Sequence, residues 1–77
     1  MVTGIELKNT YIRIDRIDYI KKANPLQGAV IRIGVNGNKI EFYYGADERD
    51  YQDRDTEFKN VLDIWQKYLK MLVPTGA

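Results

Sequence analysis

Two groups of side chains in this chain have the types and spacing to do chemistry. One is an acidic run, Asp47, Glu48, Asp50, Asp53 and Asp55; the other is a set of tyrosines and arginines, Tyr11, Arg13, Arg16, Arg32 and Tyr43. Closely spaced carboxylates can hold a calcium ion or divide acid and base work between them. Here Arg49 and Arg54 stand among the acids, and no glycine supplies the sharp turn of a calcium loop. The run therefore reads as a solvated, self-neutralised start of a helix, with acids where the helix dipole favours them. Tyrosine rings stack on bases, and guanidinium groups pair with phosphate or stack. The second group is thus the candidate ligand-binding set, for a nucleotide or cyclic nucleotide. The plain alternative is an ordinary solvent-facing sheet, because tyrosine is a good strand former.

What is missing narrows the chemistry further. The chain has no histidine, no cysteine and no serine. Triads, thiol nucleophiles, zinc sites and redox switches lose their usual side chains. A non-enzymatic protein with no cofactor and no metal is expected. Gly34, Gly37 and Gly45 sit in a hairpin pattern rather than a strand–turn–helix unit, so they form no phosphate loop. A third cluster, Arg13, Arg16, Lys21 and Lys22, surrounds a break in strand periodicity. Asp15 and Asp18 lie between these cations, and a corner in the chain explains the break better than a binding site does.

These residues must be positioned by a small scaffold. Seventy-seven residues make one domain over 1–77, with no disulfide to reinforce it. At ordinary per-residue stability it holds roughly 4–12 kcal/mol against unfolding, and self-association is the remaining route to more. The apolar fraction of 44% is that of a folded chain. No apolar run approaches the ~20 residues a membrane span needs, and Met1-Val2-Thr3-Gly4 is no leader pattern. A soluble, cytoplasmic protein is expected. Residues 1–45 carry seven basic and four acidic side chains, net +3, and residues 46–77 carry five and seven, net −2. This mild polarisation leaves nucleic-acid binding through the N-terminal half as a minor alternative.

The clearest local signal is Asn36-Gly37, a type I′ hairpin turn. With those two at the turn, Val35 faces Asn38, Ile33 faces Ile40, Ile31 faces Phe42 and Ala29 faces Tyr44. On the other face Gly34 meets Lys39, Arg32 meets Glu41 and Val30 meets Tyr43, so one register yields an apolar face and an opposite-charge pair. Upstream, Ile12 and Ile14 share one parity while Ile17 and Tyr19 share the other, which demands a bulge or tight turn near Asp15-Arg16. Ile5 and Leu7 suggest another short strand before the turn-like Lys8-Asn9-Thr10. Asn24-Pro25 through Gly28 is a loop. Tyr11 and Arg13 are expected to join Arg32 and Tyr43 on the outer sheet face.

Downstream, Phe58, Val61, Leu62, Trp65, Leu69 and Leu72 recur at helical spacing. A helix is expected over about 53–72, capped by Asp53 or Asp55, with Asp47 as the cap of a longer alternative. The stop signal lies at 73–76. Ile64, Tyr68 and Met71 widen the apolar arc to the order of 200°, where one packing face takes ~100°. Loops or another subunit must cover the excess, and Val61, Ile64, Tyr68 and Met71 are the candidate oligomer interface.

The expected fold is α+β: a small antiparallel meander of four or five strands over about 4–45, packed by one C-terminal amphipathic helix. Its expected core is Ile5, Leu7, Ile12, Ile14, Ile31, Ile33, Ile40, Phe42, Phe58, Leu62, Trp65 and Leu69. The expected function is that of a homo-oligomeric, non-enzymatic module that binds another macromolecule, a pattern generic among small bacterial and phage proteins. Sequestration of a small nucleotide ligand, at the tyrosine–arginine face or a subunit interface, is the alternative.

Overall fold

The computed structural model describes residues 3–72. Its order is β1 (Gly4–Leu7), β2 (Thr10–Arg13), a 3-10 turn (Ile14–Arg16), β3 (Ile17–Ala23), β4 (Ala29–Val35), β5 (Asn38–Gly45) and α1 (Glu48–Leu72). The class is α+β, with every strand pair antiparallel and one C-terminal helix. The strands form two sheets rather than one meander: a β1–β2 hairpin and a β3–β4–β5 sheet.

The 3-10 turn is the corner that the parity switch demands. Ile14 is buried within it, its N–H donating to the Thr3 carbonyl at 3.1 Å, and the chain leaves in a new direction. A second irregularity follows between Ile17 and Tyr19, which leaves Asp18 outside the regular pairing. Ile17 and Tyr19 therefore do not share a face: Ile17 and Ile20 are buried, and Tyr19 lies across Gly34. Asp18 is put to use there, accepting the Gly37 N–H at 2.8 Å, while Asn36 N–H donates to the Arg16 carbonyl at 3.2 Å. The tip of the Asn36-Gly37 hairpin is thus tied to the corner.

That hairpin has the expected register from Val35↔Asn38 to Val30↔Tyr43, with positive φ at Asn36 (52°) and Gly37 (83°). Its last pair differs. A register shift sets Ala29 opposite Gly45, not Tyr44. Gly45 takes a φ of 118° at this bulge, a conformation that only glycine enters without strain.

The helix starts at Glu48, five residues before the expected Asp53. Asp47 is its cap. The Asp50 carboxylate accepts the Asp47 N–H at 3.1 Å, and Tyr51 N–H donates to the Asp47 carbonyl at 3.1 Å, so Asp50 plays the reciprocal part of a capping box. The stop signal at 73–76 lies outside the described residues.

The core gathers Ile5, Leu7, Ile12 and Ile14 from the first hairpin and corner, Ile17, Ile20, Ile31, Ile33 and Phe42 from the three-stranded sheet, and Val61 from α1. Ile40, Phe58, Leu62 and Trp65 are only partly buried against it, and Leu69 is exposed rather than core. At about 1.5 Å per residue a 25-residue helix runs ~37 Å, whereas a strand of 7–8 residues covers ~25 Å. The helix is longer than the sheet beneath it, in keeping with extents of 46 × 22 × 21 Å. Among the described residues no helix is long and apolar enough to cross a membrane.

Candidate functional site

Strand alternation builds the outer face of the three-stranded sheet as three rows. Tyr19, Gly34 and Lys39 form the first, Lys21, Arg32 and Glu41 the second, and Ala23, Val30 and Tyr43 the third. Pro25, Gln27, Val30, Arg32, Lys39, Glu41 and Tyr43 line an open depression of about 660 Å³. Of the five expected ligand residues, only Arg32 and Tyr43 lie here. Tyr11 and Arg13 sit on β2, in the other sheet, because the corner breaks the ladder before they could join. The Tyr11 hydroxyl shares a 2.6 Å hydrogen bond with Thr3 Oγ1, and Arg13 pairs with Asp15 at 3.0 Å. Arg16 lies in the corner with its side chain exposed.

The second aromatic of the face is Tyr19, with the Lys21 ammonium 5.2 Å from its ring centre. Sequence parity alone hides it, because the bulge at Asp18 is what turns it outward. Arg32 is not free: its Nε donates to Glu41 at 2.6 Å, and that bond holds the Glu41 carboxyl below its usual range. The face therefore combines three cations, one carboxylate already engaged, and two tyrosines.

The acids at the helix start are exposed or half-exposed, as expected of a solvated run, but one of the two arginines among them is not. Arg54 is 3% exposed, the one buried charged residue among those described. Its Nη1 donates to the carbonyls of Ala23 (2.8 Å) and Val30 (3.2 Å), the terminal pair of the β3–β4 ladder, and its Nε donates to Asp55 at 2.7 Å. Lys22 reaches the same Asp55 oxygen at 3.6 Å and lies 5.3 Å from the Phe58 ring centre. The Arg54 hydrogen bond lowers the Asp55 pKa. Arg54 with Asp55 is thus a structural latch, and nothing in one-dimensional spacing distinguishes Arg54 from Arg49. Among the described residues no group of three or more acids is placed to hold a metal ion.

Nearby, Tyr44 donates its hydroxyl to Glu57, and the Lys8 ammonium lies 4.2 Å from its ring centre. Burial first, and then the Glu57 carboxylate, push the Tyr44 pKa up. Lys8 adopts a φ of 48° in the β1–β2 turn, unusual for a residue with a side chain.

The four residues assigned to an interface separate. Val61 is 5% exposed and belongs to the core; Ile64 and Tyr68 pack partly against that core. Ile64 and Val61 line an open cleft between α1 and β1, and this side of the apolar arc reaches the core beside Ile5 and Leu7. Met71 remains 69% exposed, next to Leu72 at 59% and Leu69 at 38%. Compared with known proteins, the chain matches no family model, no curated protein and no solved structure.

Proposed function

We propose that this chain is a non-enzymatic interaction module that self-associates and binds another macromolecule. The observation that carries the reading is the apolar end of α1. Leu69 and Leu72 continue the helix's apolar stripe past the layers that cover it, with exposed Met71 beside them, and a clustered apolar surface of this kind is what a second chain covers. The side-chain inventory supports the non-enzymatic part, since histidine, cysteine and serine are absent. Native mass spectrometry of the purified protein tests the reading by reporting subunit number and retained mass together. Assemblies of two or more copies are expected. A bare monomer at every concentration sampled overturns self-association.

The outer sheet face favours a second reading, capture of a small anionic ligand such as a nucleotide. Lys21, Arg32 and Lys39 stand among Tyr19 and Tyr43 beside an open depression, the pairing of cation and ring that holds base and phosphate. An added mass of a few hundred daltons in the same spectra, lost in Tyr43→Ala, is the expected sign. Binding to nucleic acid by the same cations predicts affinity falling steeply with salt.

A further inference from the structure

We propose that two copies of this chain join edge to edge along β5, antiparallel, in the register centred on Ile40. This rests on the self-association reading above and assigns it a contact on the sheet edge, separate from the apolar end of α1.

The argument starts at the hairpin turn. In a two-residue hairpin the flanking residues form a hydrogen-bonded pair, and such pairs alternate along the ladder. Val35↔Asn38, Ile33↔Ile40 and Ile31↔Phe42 therefore exchange main-chain bonds within the chain. Lys39, Glu41 and Tyr43 must then turn their N–H and C=O groups away from β4. β5 is a sheet edge, and among the described residues no other backbone or side-chain group bonds those outward groups. All three residues are exposed. An open row of donors and acceptors is a template for another strand.

Charge selects the strand and its register. Only outward-facing residues can pair with outward-facing residues, which leaves alternate registers. Centred on Glu41, the pairing sets one carboxylate directly opposite its copy. Centred on Phe42, it sets Glu41 opposite Tyr43 and leaves Lys39 without a carboxylate. Centred on Ile40, it sets Lys39 of each copy opposite Glu41 of the other, twice, on the same outer face. Opposite charges directly across a pair stabilise it and like charges oppose it. The same register brings the two partly buried Ile40 side chains together on the inner face, beside each core. The dyad stands perpendicular to the sheet, so both helices lie on one side and both tyrosine-bearing faces on the other. The opposite edge is less suited to this. β3 is irregular at Asp18, which interrupts its row of outward groups.

Two charge reversals test it by sedimentation equilibrium. Lys39→Glu sets carboxylate against carboxylate at both pairs, and Glu41→Lys sets ammonium against ammonium. Each is expected to weaken the homodimer about tenfold or more. Mixed in equal amounts, the two variants restore both pairs, so a heterodimer near wild-type affinity is expected. Lys39 faces Gly34 across the ladder and has no ion-pair partner on its own chain among the described residues, so Lys39→Glu leaves the fold intact, with circular dichroism as the check. If wild type dimerises and Lys39→Glu dimerises equally well, the β5 register is overturned while self-association stands. Failure of two folded variants to combine also overturns it. A wild-type monomer at all concentrations removes both proposals.

Discussion

The two halves of α1 are built from the same alternation of charge and apolar residues, yet they live in different surroundings. In the first half a buried arginine is held by two strand-end carbonyls and a carboxylate, and Asp47 with Asp50 closes the start. In the second half the indole N–H of Trp65 is buried without an acceptor, and the apolar stripe runs out into solvent at Leu69, Met71 and Leu72. An unpaired buried donor costs about 1–3 kcal/mol. The contrast separates the start of the helix, fastened to the sheet by polar groups, from its last turn, which runs past the core that Val61 and Trp65 still reach. A fastening element is recognised by satisfied polar groups rather than by apolar content.

The sharpest way to break that comparison is Arg54→Met. The stem volume is kept, but the Ala23 and Val30 carbonyls lose their donor and Asp55 its closest cation. A loss of about 2–4 kcal/mol is expected, on the scale of an unsatisfied buried polar group or a broken buried pair. Urea unfolding at neutral pH reads it as a lower midpoint at unchanged slope. A loss under about 1 kcal/mol would mean that the latch is decoration and that apolar packing alone holds the helix down.

A paired truncation sharpens the same contrast at smaller magnitude. Val61→Ala removes methyl groups from the centre of the core and should cost about 1–3 kcal/mol, because the site collapses only partly. Met71→Ala removes more atoms from a side chain that is largely in water and should lie within about 0.5 kcal/mol of wild type. Comparable losses in the two variants would show that the end of the helix is covered in solution even at the dilution of the unfolding experiment.

These two residues also show how far the sequence could be read. Val61 and Met71 both fall within the wide apolar arc of the helix, and both were candidates for an interface. What separates them is where the β1–β2 hairpin lies, and that depends on the corner at Ile14–Arg16. The need for a break there is visible in the parity of Ile12, Ile14 and Ile17. Its direction is not, because parity carries no information about how two sheets are oriented. The β4–β5 register was legible to within one pair because an Asn-Gly turn, an apolar face and the Arg32–Glu41 pair all demand the same alignment. The exception at Ala29 is a bulge, and a bulge inserts a residue without changing local composition. The tyrosine–arginine face was half legible: Arg32 and Tyr43 follow from the hairpin, whereas Tyr19 replaces Tyr11 through an irregularity at Asp18. Arg54 was invisible, since its role depends on strand ends more than twenty positions away.

The smallest expected effect concerns acid. Asp55 is more than half exposed, and its hydrogen bond from Arg54 lowers its folded-state pKa below the ordinary value of 3.8. A carboxylate whose pKa is depressed on folding contributes stability above its unfolded pKa and loses it as pH falls toward the folded value. The contribution should thus be complete at neutral pH and fade as pH drops below about 4. Asp55→Asn keeps an acceptor for Arg54 but cannot titrate. Thermal melts of both proteins from neutral pH downward should show wild type ahead at neutral pH and the gap closing in acid. Glu41 is also depressed, by its bond from Arg32 on the outer face, but it is present in both proteins and cancels from the difference. The absence of a gap at every pH would place the stabilisation in the two carbonyl bonds of Arg54 alone, making the latch a cap on the sheet in which the ion pair takes no part.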